Sequence, residues 1–307
     1  MKIVVKKYSH PILTPGVMRG QLFAPDALWA YHPVVVQPGT RTKVRYYMFY
    51  TGKSIGLGIS HHTLLATSNN LTDWKKEGSV VLPNGEEGEW DSDFTAHGFV
   101  FGEGETHSML YDGSSVGDWL EEIGLAKSTD LHHWVKHIGN PVFTVGTSRW
   151  EKRHVSRSCV FTRNGTYYLY YAGHDGERER IGLATGKTIA RINKRLPEPV
   201  LDLGNGGTWD EKSISDPRVI YWNGKFLMFY SGIDAKGIER TGIATSSDLI
   251  RWAKFSGNPI LDVTPGAWDS ISASRAFPFV ENNHIRLFYS GRRKFLYHIG
   301  VAEVTIT

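Results

Sequence analysis

A chain of 307 residues, 40 % hydrophobic and 21 % charged, has the make-up of a soluble globular protein. Its net charge of +4 is scattered without any Lys/Arg run, which argues against a nucleic-acid partner. The single cysteine, Cys159, excludes an internal disulfide, no segment approaches the ~18 apolar residues of a membrane helix, and the apolar stretch within Met1–Tyr8 is too short for a signal peptide. The expectation is a cytoplasmic protein that makes no membrane contact.

The first marker along the chain is a Pro-led strand, His10-Pro11-Ile12-Leu13. Then comes Pro25-Asp26-Ala27-Leu28 and, beyond an insertion of about ten residues read at roughly 32–41, the element Phe49-Tyr50-Thr51-Gly52. Its Tyr-x-Gly core returns at Tyr111-Asp112-Gly113, Tyr171-Ala172-Gly173, Tyr230-Ser231-Gly232 and Tyr289-Ser290-Gly291, in steps of 61, 60, 59 and 59 residues. Trp90, Trp150, Trp209 and Trp268 open the last four copies, each 21 residues before its Tyr. A further strand pattern follows every Tyr, as in Ile181-Gly182-Leu183-Ala184 or Ile299-Gly300-Val301-Ala302. Three copies continue into Ser-x-(Asp/Asn)-Leu-x-x-Trp, ending at Trp74, Trp134 and Trp252, and Pro-led strands follow at Pro141, Pro199 and Pro259. Asn164-Gly165 and Asn223-Gly224 mark tight hairpins.

A constant period holding four short strands, with no helical periodicity, predicts an all-β, five-bladed β-propeller of four-stranded antiparallel blades. The blades fall at approximately 15–85, 86–145, 146–203, 204–263 and 264–307, and residues 1–307 form one domain. The last blade lacks its Pro-led strand. Residues 1–14 are expected to supply it and close the ring.

In such a ring the first strand of each blade lines the axis. The position seven residues after each opening Trp selects His97, Arg157, Asp216 and Arg275. Matching Pro25-Asp26-Ala27 to Ser215-Asp216-Pro217 adds Asp26 for the first blade. Burying such charges costs desolvation, so their clustering points to function rather than stability. Asp93 is a third candidate carboxylate, His154 stands beside Arg157, and Trp119 in the loop 112–122 offers a face for stacking on a sugar. Asp91, Glu151, Asp210 and Asp269 directly follow an opening Trp and read as structural. A divalent cation such as calcium would find His97, Asp26 and Asp216 at the axis, but no ligand spacing demands one, and no metal site or other cofactor is assigned.

Five blades, Asp26 early in the first, Ser215-Asp216-Pro217, the Tyr-x-Gly repeats and Ser-x-Asp-Leu-x-x-Trp together resemble the five-bladed propeller glycosidases of glycoside hydrolase families 32, 43, 62, 68, 117 and 130. The resemblance implies that Asp26 serves as base or nucleophile and that Asp216 tunes the site and holds substrate hydroxyls. The general-acid Glu usual in blade 3 is missing from Ser156-Arg157-Ser158-Cys159, a departure from families 32, 43 and 68. His97, Arg157, Arg275 and His154 suit a phosphate or a substrate carboxylate, as in family 130 phosphorylases; family 117 has been associated with a His acid. The expected activity is hydrolysis of a small oligosaccharide or glycoside by Asp26, Asp216 and Asp93. Inversion is expected because Asp26 and Asp216 would face each other across the axis. The alternatives are phosphorolysis with bound phosphate and a non-catalytic carbohydrate-binding propeller.

Overall fold

The computed structural model describes residues 1–37, 44–55, 61–102, 106–115, 117, 120–194 and 196–307. Among them the regular structure is twenty β-strands and two short 3-10 turns, so the protein is all-β. Consecutive strands form antiparallel meanders. The first holds Trp29–Val36, Tyr46–Lys53, His61–Ser68 and Lys75–Leu82. Equivalent units begin at Phe94, His154 and Ser213 and end in the short strands Val135–Lys136, Arg191–Lys194 and Ala253–Lys254. The unit that begins at Ser272 takes its fourth strand from the opposite terminus: Ile3–Lys7 pairs with Leu296–Ile306, from Ile3 opposite Ile306 to Lys7 opposite Ala302. Leu13 bridges Ile299 just as Phe143, Leu201 and Leu261 bridge Ile123, Ile181 and Thr241. The His10–Leu13 segment therefore lies where its sequence pattern put it. Trimming residues 1–14 removes that ladder, and the expected outcome is a melting temperature lower by at least about 10 °C, read by calorimetry; an unchanged melting temperature would show the strand to be dispensable.

The recurring motifs each have a mechanical reason. In Ser128-Thr129-Asp130-Leu131 the Ser128 hydroxyl accepts the N–H groups of Asp130 and Leu131, while Asp130 Oδ1 accepts those of His132 and His133. These bonds hold the buried Leu131 at φ 66°, and Trp134 Nε1 donates to the Leu131 carbonyl. The turns at Leu71 and Leu249 are built alike. The glycine of Tyr-x-Gly leaves room for the opening Trp: a Cβ on Gly113 would stand 2.6 Å from the Trp90 ring.

The repeat tyrosines are anchors. Tyr111 donates to Asp91 (2.9 Å), Tyr171 to Glu151 (2.6 Å), Tyr230 to Asp210 (3.2 Å) and Tyr289 to Asp269 (3.3 Å). Lys136, Lys254 and Lys7 reach Asp91, Asp210 and Asp269 from the outermost strands. Asp26 is the fifth member of this set, not an axial residue: Tyr50 donates to its Oδ2 at 3.0 Å and Lys76 pairs with it. Each clamp ties the lead-in to a first strand onto the second strand of the same unit, and those of Asp26, Asp91, Asp210 and Asp269 reach the fourth strand as well. Asp26→Ala leaves Lys76 and the Tyr50 hydroxyl buried without this partner, so the expected loss is about 3 kcal/mol of unfolding free energy in urea, with any turnover per folded molecule retained.

Candidate active site

Each unit's first strand carries a bulge, between Tyr31/Val34, Ala96/Phe99, Ser156/Cys159, Ser215/Arg218 and Ser274/Phe277. At each bulge one non-glycine residue sits in the left-handed region: His32 (φ 56°), His97 (53°), Arg157 (51°), Asp216 (54°) and Arg275 (52°). These five form the inner ring. Four of them are the predicted residues, and the fifth is His32 rather than Asp26. The first unit has no opening Trp, and its insertion between ring position and Tyr is four residues rather than about ten: His32 lies eighteen residues before Tyr50, against fourteen in the other copies. With Asp26 off the ring, the geometric ground for expecting inversion falls away.

Backbone N–H groups of the ring are caught by the preceding unit. His97 N–H donates to Thr51 Oγ1 (3.0 Å), Arg157 to Asp112 Oδ2 (2.8 Å), Arg275 to Ser231 Oγ (2.8 Å) and His32 to Ser290 Oγ (2.8 Å). The acceptor is always the residue between Tyr and Gly. On the ring itself His32 Nε2 lies 3.0 Å from Asp216 Oδ1, and Ser215 donates to Asp216 Oδ2 at 2.8 Å. Burial alone would raise the Asp216 pKa, but the His32 hydrogen bond and the charges of Arg275 and Arg157 outweigh it and hold it well below the carboxylate range.

A cavity of about 420 Å³ opens above the ring. Its walls include the ring residues His97, Arg157 and Arg275, the aromatics Trp29, Tyr31, Phe94 and Tyr297, the carboxylates Asp93 and Glu121, and the basic residues Arg153, His154 and His174. A second circle stands at the start of each third strand, three residues before the Gly-φ-Ala pattern or its equivalent: His61, Glu121, Glu179, Glu239 and Tyr297. Glu179 pairs with Arg157, and Glu239 pairs with both Arg275 and Arg292. Glu121 has no such partner; its Oε2 is buried without a hydrogen bond among the described residues. Sequence reasoning missed this circle, although its register was as constant as that of the first.

Of the predicted site residues, Asp93, His97, Arg157, Arg275 and His154 meet at the cavity. Asp216 lies beneath it on the ring, nearly inaccessible. Trp119 lies outside the described residues. Because Asp26 stands apart, the triple His97, Asp26 and Asp216 is not assembled, and among the described residues no group of three His, Cys, Asp or Glu is placed to hold a metal ion. Burial raises the Asp93 pKa. Arg157 and Arg275 are held protonated: burial opposes their charge, but Glu179 and Glu239 dominate the balance.

No family model matches the chain. A curated relative, 1,2-beta-oligomannan phosphorylase from Thermoanaerobacter sp. (strain X514), is 26 % identical over 205 residues, 62 % of this chain and 61 % of that protein; the chain thus spans less than two thirds of the relative's length. Among solved structures, one described as a glycoside hydrolase superposes with a TM-score of 0.77 at 18 % identity, covering 98 % of this chain and 93 % of that one. A structure described as belonging to a GH130 family of mannoside phosphorylases that contains glycoside hydrolases targeting beta-1,2 mannosidic linkages in Candida mannan superposes at 0.73 and 14 % identity, covering 97 % and 93 %. The fold is that of the propeller glycosidases. No single family within that superfamily is marked out.

The buried histidines give a stability signature. Burial, with Arg157 nearby, depresses the His97 pKa to about 3, and burial, with neighbouring His97, depresses that of His61 to about 3, against 6.5 unperturbed. Below pH 6.5 the unfolded state binds protons that the folded state refuses, so stability is lost as pH falls from about 6.5 towards 3. The slope is about 1.4 kcal/mol per pH unit for each such histidine. Urea titrations from pH 7 to 4.5 on wild type and His97→Gln should differ by that slope for one histidine.

Proposed function

We propose that this protein is a single-domain, five-bladed propeller that cleaves glycosidic bonds in its central cavity, with Asp93 and Glu121 as the working carboxyl pair. The observation that carries this reading is the pairing pattern around the cavity. Glu179 and Glu239 are consumed by arginines, Asp216 by His32, and Asp112 by His97 and the Arg157 N–H. Asp93 and Glu121, the two carboxylates of the cavity wall, carry neither an ion pair nor a side-chain hydrogen bond among the described residues, unlike these buried carboxylates around it. Glycoside cleavage needs one carboxyl that gives a proton to the leaving oxygen and a second group on the other side of the sugar ring. Burial raises the Asp93 pKa, which suits the donor; Glu121 is left as base or nucleophile. Trp29, half-buried at the wall, supplies an apolar ring of the kind that sugar faces stack on.

Hydrolysis is the reading we favour, with a small oligosaccharide or glycoside as substrate. One observation keeps phosphorolysis beside it: Arg153, His154 and His174 line one wall, His154 and His174 have ring centroids 4.2 Å apart, and none of the three forms a salt bridge among the described residues. An anion entering the cavity would meet these groups, since Arg157 and Arg275 are already neutralised. A panel of aryl glycosides and oligosaccharides assayed with and without phosphate tests both readings. Asp93→Asn and Glu121→Gln should each lower kcat by roughly 10²- to 10⁴-fold, and Asp93→Asn should remove the alkaline limb of the pH profile, because a general acid is lost as pH rises through its pKa. Phosphate-dependent turnover that collapses in Arg153→Ala would select phosphorolysis. Full activity in both carboxyl variants would remove the proposal.

A further inference from the structure

A hydrogen-bonded relay runs from the ring into the cavity and is not used by the carboxyl pair. Asp112 Oδ2 lies 2.8 Å from His97 Nδ1, and His97 Nε2 lies 3.0 Å from the Tyr31 hydroxyl. All three side chains are almost inaccessible: 1 % exposed for Asp112, 6 % for His97 and 4 % for Tyr31. Only the Tyr31 end reaches the cavity wall alongside His97. The direction of the relay follows from its far end. The Arg157 N–H donates to the same Asp112 Oδ2 at 2.8 Å, and burial with the nearby Glu121 charge raises the Asp112 pKa, so a proton on that carboxyl belongs on Oδ1 if Oδ2 accepts from both neighbours. With Oδ2 accepting on both sides, His97 carries its proton on Nδ1, because burial keeps the imidazole neutral and able to bear only one. Its Nε2 is a bare lone pair, and the single proton of Tyr31 is committed to it. Burial also raises the Tyr31 pKa, so the phenol keeps that proton. What the Tyr31 oxygen shows to the cavity is lone pairs only. The ring is held in place by Trp29 at 5.5 Å and Tyr297 at 5.2 Å between centroids.

We infer that Tyr31 is a catalytic hydrogen-bond acceptor for a sugar hydroxyl beside the reacting carbon, with His97 and Asp112 as positioning residues that stop it from donating. This rests on the glycoside-cleaving reading. A hydroxyl that gives its proton to an obligate acceptor becomes more electron-rich. It thereby stabilises the positive charge that develops on the sugar ring in the transition state, and the bond strengthens as the reaction proceeds. A second consequence is selectivity: a substrate lacking that hydroxyl leaves the lone pairs unpaired in a buried wall. No proton leaves the relay in this role.

The test uses Tyr31→Phe in the full-length protein, with its melting temperature checked against wild type. The expected result is a fall in kcat of about a hundredfold with KM within threefold, and no further loss when Tyr31→Phe is assayed on the deoxy sugar lacking the contacted hydroxyl. Asp112→Ala should reproduce much of the loss and Asp112→Asn, which keeps an acceptor oxygen, should restore most of it. Turnover of Tyr31→Phe within threefold of wild type, while Asp93→Asn and Glu121→Gln are inactive, overturns this inference and leaves the glycoside reading standing. Intact turnover in the two carboxyl variants overturns the reading instead. Nitrogen-15 NMR of His97 at neutral pH decides the relay's direction without any substrate: a proton on Nδ1 and a bare Nε2 are expected, and a proton on Nε2 overturns the inference.

Discussion

The site depends on one repeated interaction, the capture of a ring residue's backbone N–H by a side chain of the neighbouring unit. His32, His97, Arg157 and Arg275 are bulky residues held at φ 51–56°, a conformation that costs an L-residue roughly 1–2 kcal/mol. The cost is offset where Ser290, Thr51, Asp112 and Ser231 each accept the N–H that the bulge frees from its ladder. The same bond fixes one unit against the next and turns the ring side chain to the axis. Packing and site geometry are therefore set by one contact. The exception is instructive. Ala172 stands at the acceptor position before Asp216, and there the ring residue's own carboxylate is held instead by His32 and Ser215.

Once the ring is placed, charge pairing decides what is left free. Arg157 and Arg275 face Glu179 and Glu239 from the second circle, so two of that circle's three glutamates are spent on neutralising buried guanidinium groups. Removing either partner would leave an uncompensated buried charge, which is far more costly than never having had the pair. Ser213 reinforces Glu179, Ser272 and Ser274 join Arg275 on Glu239 Oε2, and Arg292 and Tyr297 donate to Glu239 Oε1, so these carboxylates are satisfied on both oxygens. Glu121 has the same backbone position and lies near enough for its charge to act on Arg157, but it forms no ion pair among the described residues.

Much of this was legible in the sequence, because strand periodicity and turn chemistry act locally. The Tyr-x-Gly spacing marked out the units, and the Ser-x-Asp-Leu-x-x-Trp turns followed from hydrogen bonds within four residues. Four of the five ring members followed from counting. Asp26 was misplaced by six residues because its unit has Leu64, not Trp, against the glycine of Tyr-x-Gly, which removed the ruler used elsewhere. The acidic residues after each opening Trp offered a correction: Asp26 precedes His32 by the same six positions that separate Asp91 from His97 and Asp269 from Arg275. The second circle escaped notice for a different reason. Its members, His61, Glu121, Glu179, Glu239 and Tyr297, share a place but not a chemistry, and only the fold shows that they converge. Charge pairing between Glu239 and Arg275 crosses from one unit to the next, a relation no local pattern carries.

The choice between water and phosphate as the attacking group turns on which cations remain unneutralised. From sequence, Arg157 and Arg275, with His97 and His154, suited a phosphate or a substrate carboxylate. In the folded protein, loss of Arg157 would strand the buried Glu179 and loss of Arg275 would leave Glu239 with Arg292 alone, so such variants would report on folding as well as on phosphate. The groups that could meet an anion without first breaking a buried pair are Arg153, His154 and His174, on the wall nearest Glu121. His154 is itself disfavoured as a cation by burial. An anion drawn to this wall would thus rely chiefly on Arg153, whose side chain is exposed and whose attraction is screened by solvent. A wall whose guanidinium is solvated and whose His154 is disfavoured as a cation holds a neutral sugar hydroxyl as readily as a phosphate, and that balance is why hydrolysis is placed first.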